Sequence, residues 1–104
     1  MRFLPVCAAF VALAAGQLFG AAADGKAIFD SKCKGCHAAD GTGNPGMAKM
    51  LKVTMRPLGS AEVQAKSDAD LKKDITGGVG KMKPQTLTDK QASDVIAYIR
   101  TLKK

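Results

Sequence analysis

Trp is absent from this 104-residue chain, and Tyr and His each occur once. Cys occurs three times, too few for the disulfide framework of a small secreted scaffold. Acids are also scarce, nine against sixteen basic residues, for a net charge of +7. No paired carboxylates are visible and the one His stands alone, so no acid–base or nucleophilic constellation can be assembled. No alternating strand pattern, internal repeat or low-complexity run appears. One domain at most is allowed by the length.

Charge is missing altogether from one long stretch. Met1-Arg2 starts positive, and Phe3 to Ala23 then carries no charge before Asp24, the first acid. The stretch ends in Ala21-Ala22-Ala23, a small-residue cleavage pattern. Positive start, apolar middle and small-residue end are the parts of a secretory signal peptide, which predicts a cleaved leader at 1–23 and a domain at 24–104. The stretch is long enough to span a bilayer. Its Ala-rich composition, with Pro5, Gly16 and Gln17 inside, favours cleavage over anchoring. Cys7 comes too early for a lipoprotein signal and has no role in the mature chain. No membrane span is then expected after cleavage.

Three of the four Phe lie in the leader, so residues 24–104 keep Phe29 and Tyr98 as their only aromatics. A chain this small struggles to build a core from side chains alone and needs a staple. A bound apolar prosthetic group would supply the missing mass.

The predicted elements are helices. Asp24 is placed to cap a first helix carrying Ala27, Ile28 and Phe29 and running to about Lys32. Gly35 to Pro57 reads as an irregular loop with a short helical piece at Met47 to Lys52. Ser67 followed by Asp70 starts another helix, with Leu71 and Ile75 on one face and Gly77-Gly78 at its end. Thr88 and Gln91 form a capping box for the last helix. Ala92, Val95, Ile96, Ile99 and Leu102 follow there at helical spacing, and Arg100, Lys103 and Lys104 suit the dipole at its end.

Cys33-Lys34-Gly35-Cys36-His37 is C-x-x-C-H, the attachment signature of c-type haem. Two thiols three residues apart on a helical turn reach the two vinyl groups of a porphyrin, and the next side chain reaches the iron from one face. Gly35 keeps the crowded turn clear. A redox dithiol or half a zinc site would share the C-x-x-C part. The adjacent His, the leader and the lack of further Cys or His ligands count against both. The sixth iron ligand must come from elsewhere, and with no second His it is a Met. Met82 lies in a loop between two helices, beside Gly80 and before Pro84; Met55 stays open as the alternative. Met47 and Met50 are too close in sequence to the proximal loop. Gly41-Thr42-Gly43-Asn44-Pro45-Gly46 matches G-x-G-x-x-G but lacks the strand and helix of a dinucleotide site.

Residues 24–104 resemble the class I cytochromes c. The resemblance is carried by Gly25 and Phe29, the C-x-x-C-H motif, the Gly-rich stretch after it, Gly80-Lys81-Met82-Lys83-Pro84, and the closing helix to Leu102. It implies an all-α cytochrome c fold of three to four short helices around one covalently bound haem c. It maps the axial Met onto Met82 and a contact between terminal helices onto Gly25 and Phe29 against Tyr98. It also makes Pro45 the carbonyl acceptor for the proximal imidazole N–H.

The resulting expectation is a monomeric periplasmic single-electron carrier, not an enzyme. A haem enzyme or gas sensor with an open sixth position, and a subunit of a larger oxidoreductase, are the alternatives. Lys32, Lys34, Lys49, Lys52, Lys81 and Lys83 lie near the haem motifs in sequence, whereas six of the nine acids fall between Glu62 and Asp94. Such a basic group suits an acidic redox donor and acceptor. Nucleic acid is not expected, for want of stacking aromatics and because the protein is secreted.

Overall fold

The computed structural model describes residues 20–104, so most of the leader expected at 1–23 lies outside the described residues. The first helix, α1, covers 20–32; α2 is Lys34–His37, α3 Pro45–Leu51, α4 Ala61–Gln64, α5 Asp68–Gly77 and α6 Asp89–Thr101. Among the described residues there is no β-strand, only an isolated bridge between Val79 and Met82. None of these helices is long and apolar enough to cross a membrane.

The two capping signals act where the sequence places them. The Ser67 side chain accepts from the Asp70 N–H and starts α5. Thr88 accepts from the Gln91 N–H while the Gln91 side chain accepts from the Thr88 N–H, closing both ends of the box on α6. Leu71 and Ile75 of α5 meet Val95, Ile96 and Ile99 of α6 to form the buried core. Ile28, Leu58, Val63, Met82 and Leu87 pack around it. Each such aliphatic side chain contributes about 1.5–3 kcal/mol when removed from water.

Helices α1 and α6 cross in direct backbone contact. An added Cβ on Gly25 would lie 1.8 Å from the Asp94 carbonyl oxygen, so only glycine permits this approach. The crossing seats Phe29, which is wholly buried, against Tyr98, with ring centroids 5.2 Å apart and planes tilted by 55°. The expected contact between terminal helices is therefore present.

Asp24 does not cap α1. The helix is already formed at residue 20, and Asp24 lies within it. Ala21 to Ala23 are the best helix formers available and carry the helix backward past the acid. The short helix expected from Met47 begins two residues earlier, at Pro45, because Asn44 caps it.

Helix α4 carried no expectation. Ser60 caps it by accepting from the Val63 N–H. Its last residue, Gln64, donates through Nε2 to the carbonyls of Leu58 and Ile99. Arg100 returns the tie, donating to the carbonyls of Gln64 and Lys66 and to the Asp68 carboxylate. These bonds fasten the segment before α5 onto the end of α6.

Candidate haem-attachment site

Cys33 ends the first helical run and stands as the N-cap of α2. Its N–H donates to the Phe29 carbonyl at 2.9 Å, so the thiol is placed by the same helix that is locked at Gly25. Residues 34–37 form one helical turn, which stacks Cys36 above Cys33 and puts His37 at its end. The His37 N–H donates to the Cys33 carbonyl at 3.0 Å. Cys33 is buried, Cys36 is half-buried, and both are free thiols. Burial pushes the Cys33 thiol above its ordinary range.

The imidazole of His37 is half-buried, and its Nδ1 is fully enclosed without a hydrogen-bond partner. Leaving a buried polar atom unpaired costs about 1–3 kcal/mol, so the side chain is held there against its own preference. Burial also lowers its pKa, which keeps the ring neutral and its lone pair free for a metal. Two unpaired thiols and a neutral imidazole on a single turn fit the donor set of a covalently attached haem.

The expected bond from this imidazole to the Pro45 carbonyl is not made. Pro45 is the first residue of α3. A carbonyl there is directed along its own helix, not sideways to a neighbouring ring.

Met82 sits between α5 and α6, half-buried and packed on the core. Its backbone is pinned by reciprocal bonds with Val79, of 2.9 and 3.1 Å, and the turn is anchored where the Gln85 N–H meets the Ile75 carbonyl at 2.9 Å. Of the other candidates, Met50 is 67% exposed. Met55 packs against Gly43, with its sulfur 3.5 Å from where a Cβ on that glycine would lie. Met55 therefore belongs to the wall beside the loop that follows His37.

Two residues of that loop were not singled out from the sequence. Ala38 has φ 66° and ψ 165°, a region that L-residues rarely adopt. No sequence signal marks it. Asn44 caps α3, its side chain accepting from the N–H groups of Gly46 and Met47. Asn followed by Pro at the first helical position is a readable start signal, hidden here by the G-x-G-x-x-G pattern that overlaps it. The glycines of that pattern serve the turn: Gly43, at φ 97°, donates its N–H to the His37 carbonyl.

A family model described as Cytochrome c matches residues 22–103. The chain belongs to the cytochrome c family. Cytochrome c-555 of Prosthecochloris aestuarii is 35% identical over 82 residues, which cover 74% of this chain and 83% of that protein. No solved structure matches significantly. Family membership makes this chain an electron-carrier cytochrome, with haem c as the covalently attached cofactor of the family. The all-α helical architecture agrees with the cytochrome c fold.

Proposed function

We propose that the chain is a periplasmic single-electron carrier that holds one haem c through thioethers at Cys33 and Cys36, with His37 and Met82 as axial iron ligands. The observation that carries this is the α2 turn, where two free thiols and an enclosed, unpartnered imidazole follow one another. When bound, haem supplies a reversible one-electron ferric–ferrous couple.

The protein's own residues then have defined tasks. His37 would donate through Nε2, its Nδ1 being enclosed by protein. Met82 would offer a thioether from a turn pinned by its backbone bonds to Val79, and a sulfur donor with a neutral imidazole would raise the potential. With both ligands in place no position would remain for oxygen, peroxide or another substrate, which suits an electron carrier rather than an enzyme. Phe29 and the aliphatic side chains of α5 and α6 exclude water from the interior. The leader read at 1–23 directs this carrier to the periplasm.

The charge distribution supports an acidic partner. Seven ion pairs occupy Asp24, Asp30, Glu62, Asp68, Asp74, Asp89 and Asp94. Among the described residues, none of these pairs uses Lys32, Lys34, Lys49, Lys52, Lys81 or Lys83. Those six ammonium groups flank the C-x-x-C-H turn, the α3 segment and the Met82 loop, and among the described residues none is in an ion pair. A monomer with this surface meets its donor and acceptor transiently, by electrostatic steering.

The visible spectrum of the purified oxidised protein tests the ligand set. A low-spin spectrum with a weak sulfur-to-iron band is expected, together with a reversible one-electron redox titration. A high-spin spectrum would instead favour an open sixth position and a catalytic or sensing role.

A further inference from the structure

A helix of four residues satisfies almost none of its own carbonyls, so α2 by itself leaves Lys34, Gly35, Cys36 and His37 with unpaired C=O groups. In this chain all four are met. Ala38 N–H donates to Lys34 at 2.9 Å and Gly43 N–H to His37 at 2.8 Å. Asn44 supplies the other two, its backbone N–H to Cys36 at 2.8 Å and its side-chain Nδ2 to Gly35 at 3.1 Å. The same amide uses its oxygen to accept from Gly46 at 3.0 Å and Met47 at 3.3 Å. Because Oδ1 is occupied by two N–H donors, the nitrogen end must face Gly35, so the amide orientation is determined by its bonds. One side chain thus joins the end of the attachment turn to the start of α3.

That closure has a cost. The chain can return to Gly43 and Asn44 only by reversing at Ala38, which takes up φ 66° and ψ 165°. Non-glycine residues persist in such regions only where surrounding bonds over-determine them. Here the surrounding bonds are those made by residues 41 to 44.

We propose that Asn44 is a positioning residue for the axial His37: it clamps the main chain of the Cys33–His37 turn and so fixes the orientation of the imidazole toward the iron. The inference rests on the haem reading above. Asn44 makes its side-chain hydrogen bonds to backbone alone, at Gly35, Gly46 and Met47, and acts through the backbone of the turn. Without the clamp the turn gains freedom, and the imidazole donates less well. The ferric form, which depends more on that donation, is weakened, and the midpoint potential rises.

The test compares haem-loaded parent protein with two variants. Asn44→Ser keeps a capping hydroxyl for α3 and the same charge but cannot reach Gly35. Thr88→Ala removes the α6 cap, far along the chain from the turn, and controls for a general loss of stability. Both are expected to melt lower by several degrees. Only Asn44→Ser is expected to raise the midpoint potential and to broaden or shift the low-spin electron paramagnetic resonance signals of the ferric protein. If Asn44→Ser fails to load haem while Thr88→Ala loads normally, the clamp is also supported. Unchanged potential and resonance signals in Asn44→Ser, or equal changes in both variants, would overturn it. Parent protein without covalent haem would refute the underlying functional reading instead.

Discussion

Replacing Gly25 by Ala tests the crossing on which the attachment turn depends. The new Cβ would lie 1.8 Å from the Asp94 carbonyl oxygen, 2.4 Å from its carbon and 2.9 Å from the Val95 nitrogen. All three atoms are helix backbone, so no side-chain rotation can relieve the clash. The helices α1 and α6 must part by roughly 1.5 Å to regain ordinary contact, which opens the packing of the wholly buried Phe29 against Tyr98. Overpacking of this kind costs about 1–3 kcal/mol, and loosening a buried aromatic adds to it. The better helix propensity of Ala returns about 1 kcal/mol. A net loss of about 2–4 kcal/mol is expected. At about 4–8 °C per kcal/mol for a domain of this size, the melting temperature should fall by about 8–32 °C. Thermal unfolding of the haem-loaded protein, followed by far-ultraviolet circular dichroism, measures it. Gly77→Ala is the control, because a Cβ there meets nothing within 4 Å. Its melt should move by no more than about 5 °C. Equal melts for the Gly25 variant and the parent would refute the close helix crossing.

Met82→Ala should leave haem attached but abolish the low-spin spectrum; the same loss in Met55→Ala instead would transfer the ligand role to Met55. A Cys33→Ala, Cys36→Ala double variant should be largely unfolded, since the few buried side chains do not offset the ordering entropy of the chain; a cooperative melt without haem would contradict this. Charge reversal at Lys34 and Lys81 should slow electron transfer to an acidic partner, with the difference vanishing as salt rises. Reversal at Lys73 and Lys103, outside the six flanking residues and in no ion pair among the described residues, should have little effect, and equal slowing at both sites would remove the docking surface. Asp40 accepts from the hydroxyl and then the backbone N–H of Thr42, and both bonds hold its pKa below the ordinary 3.8. A carboxyl depressed in the folded state adds stability above its unfolded pKa and loses it as pH falls through the lower folded value. The Asp40–Thr42 turn should therefore open only in strong acid, read as faster amide exchange at Thr42 relative to neighbouring residues, and an Asp40→Asn variant should lack that transition.

The helix starts and the helical turn of the C-x-x-C-H motif were legible in the sequence because each depends on residues within one turn of each other. Ser67 with Asp70, Thr88 with Gln91, and Cys33 with Cys36 and His37 fall into this group. Their physics is a hydrogen bond or a covalent reach of a few ångströms, and spacing alone encodes it. In the full chain α1 runs back through Ala21 to Ala23, which belong to the expected leader, so Asp24 falls inside the helix rather than at its cap. The core faces of α5 and α6 could likewise be read from the 3.6-residue period.

What only the tertiary structure decided lies between segments distant in the chain. Gly25 gives no local sign that it faces the Asp94 carbonyl rather than open space, as Gly77 does. Met55 and Met82 are chemically equal, and the sequence gives neither its neighbours: one packs beside Gly43, the other on the core between α5 and α6. Pro45 was assigned to the imidazole by resemblance, yet the chain uses it to open α3. The carbonyls of the attachment turn are capped by residues that must return from Gly43 and Asn44, which places the strain at Ala38. Spacing cannot encode such closures, since each requires the chain to come back on itself, and the bonds that reward the return exist only once it has.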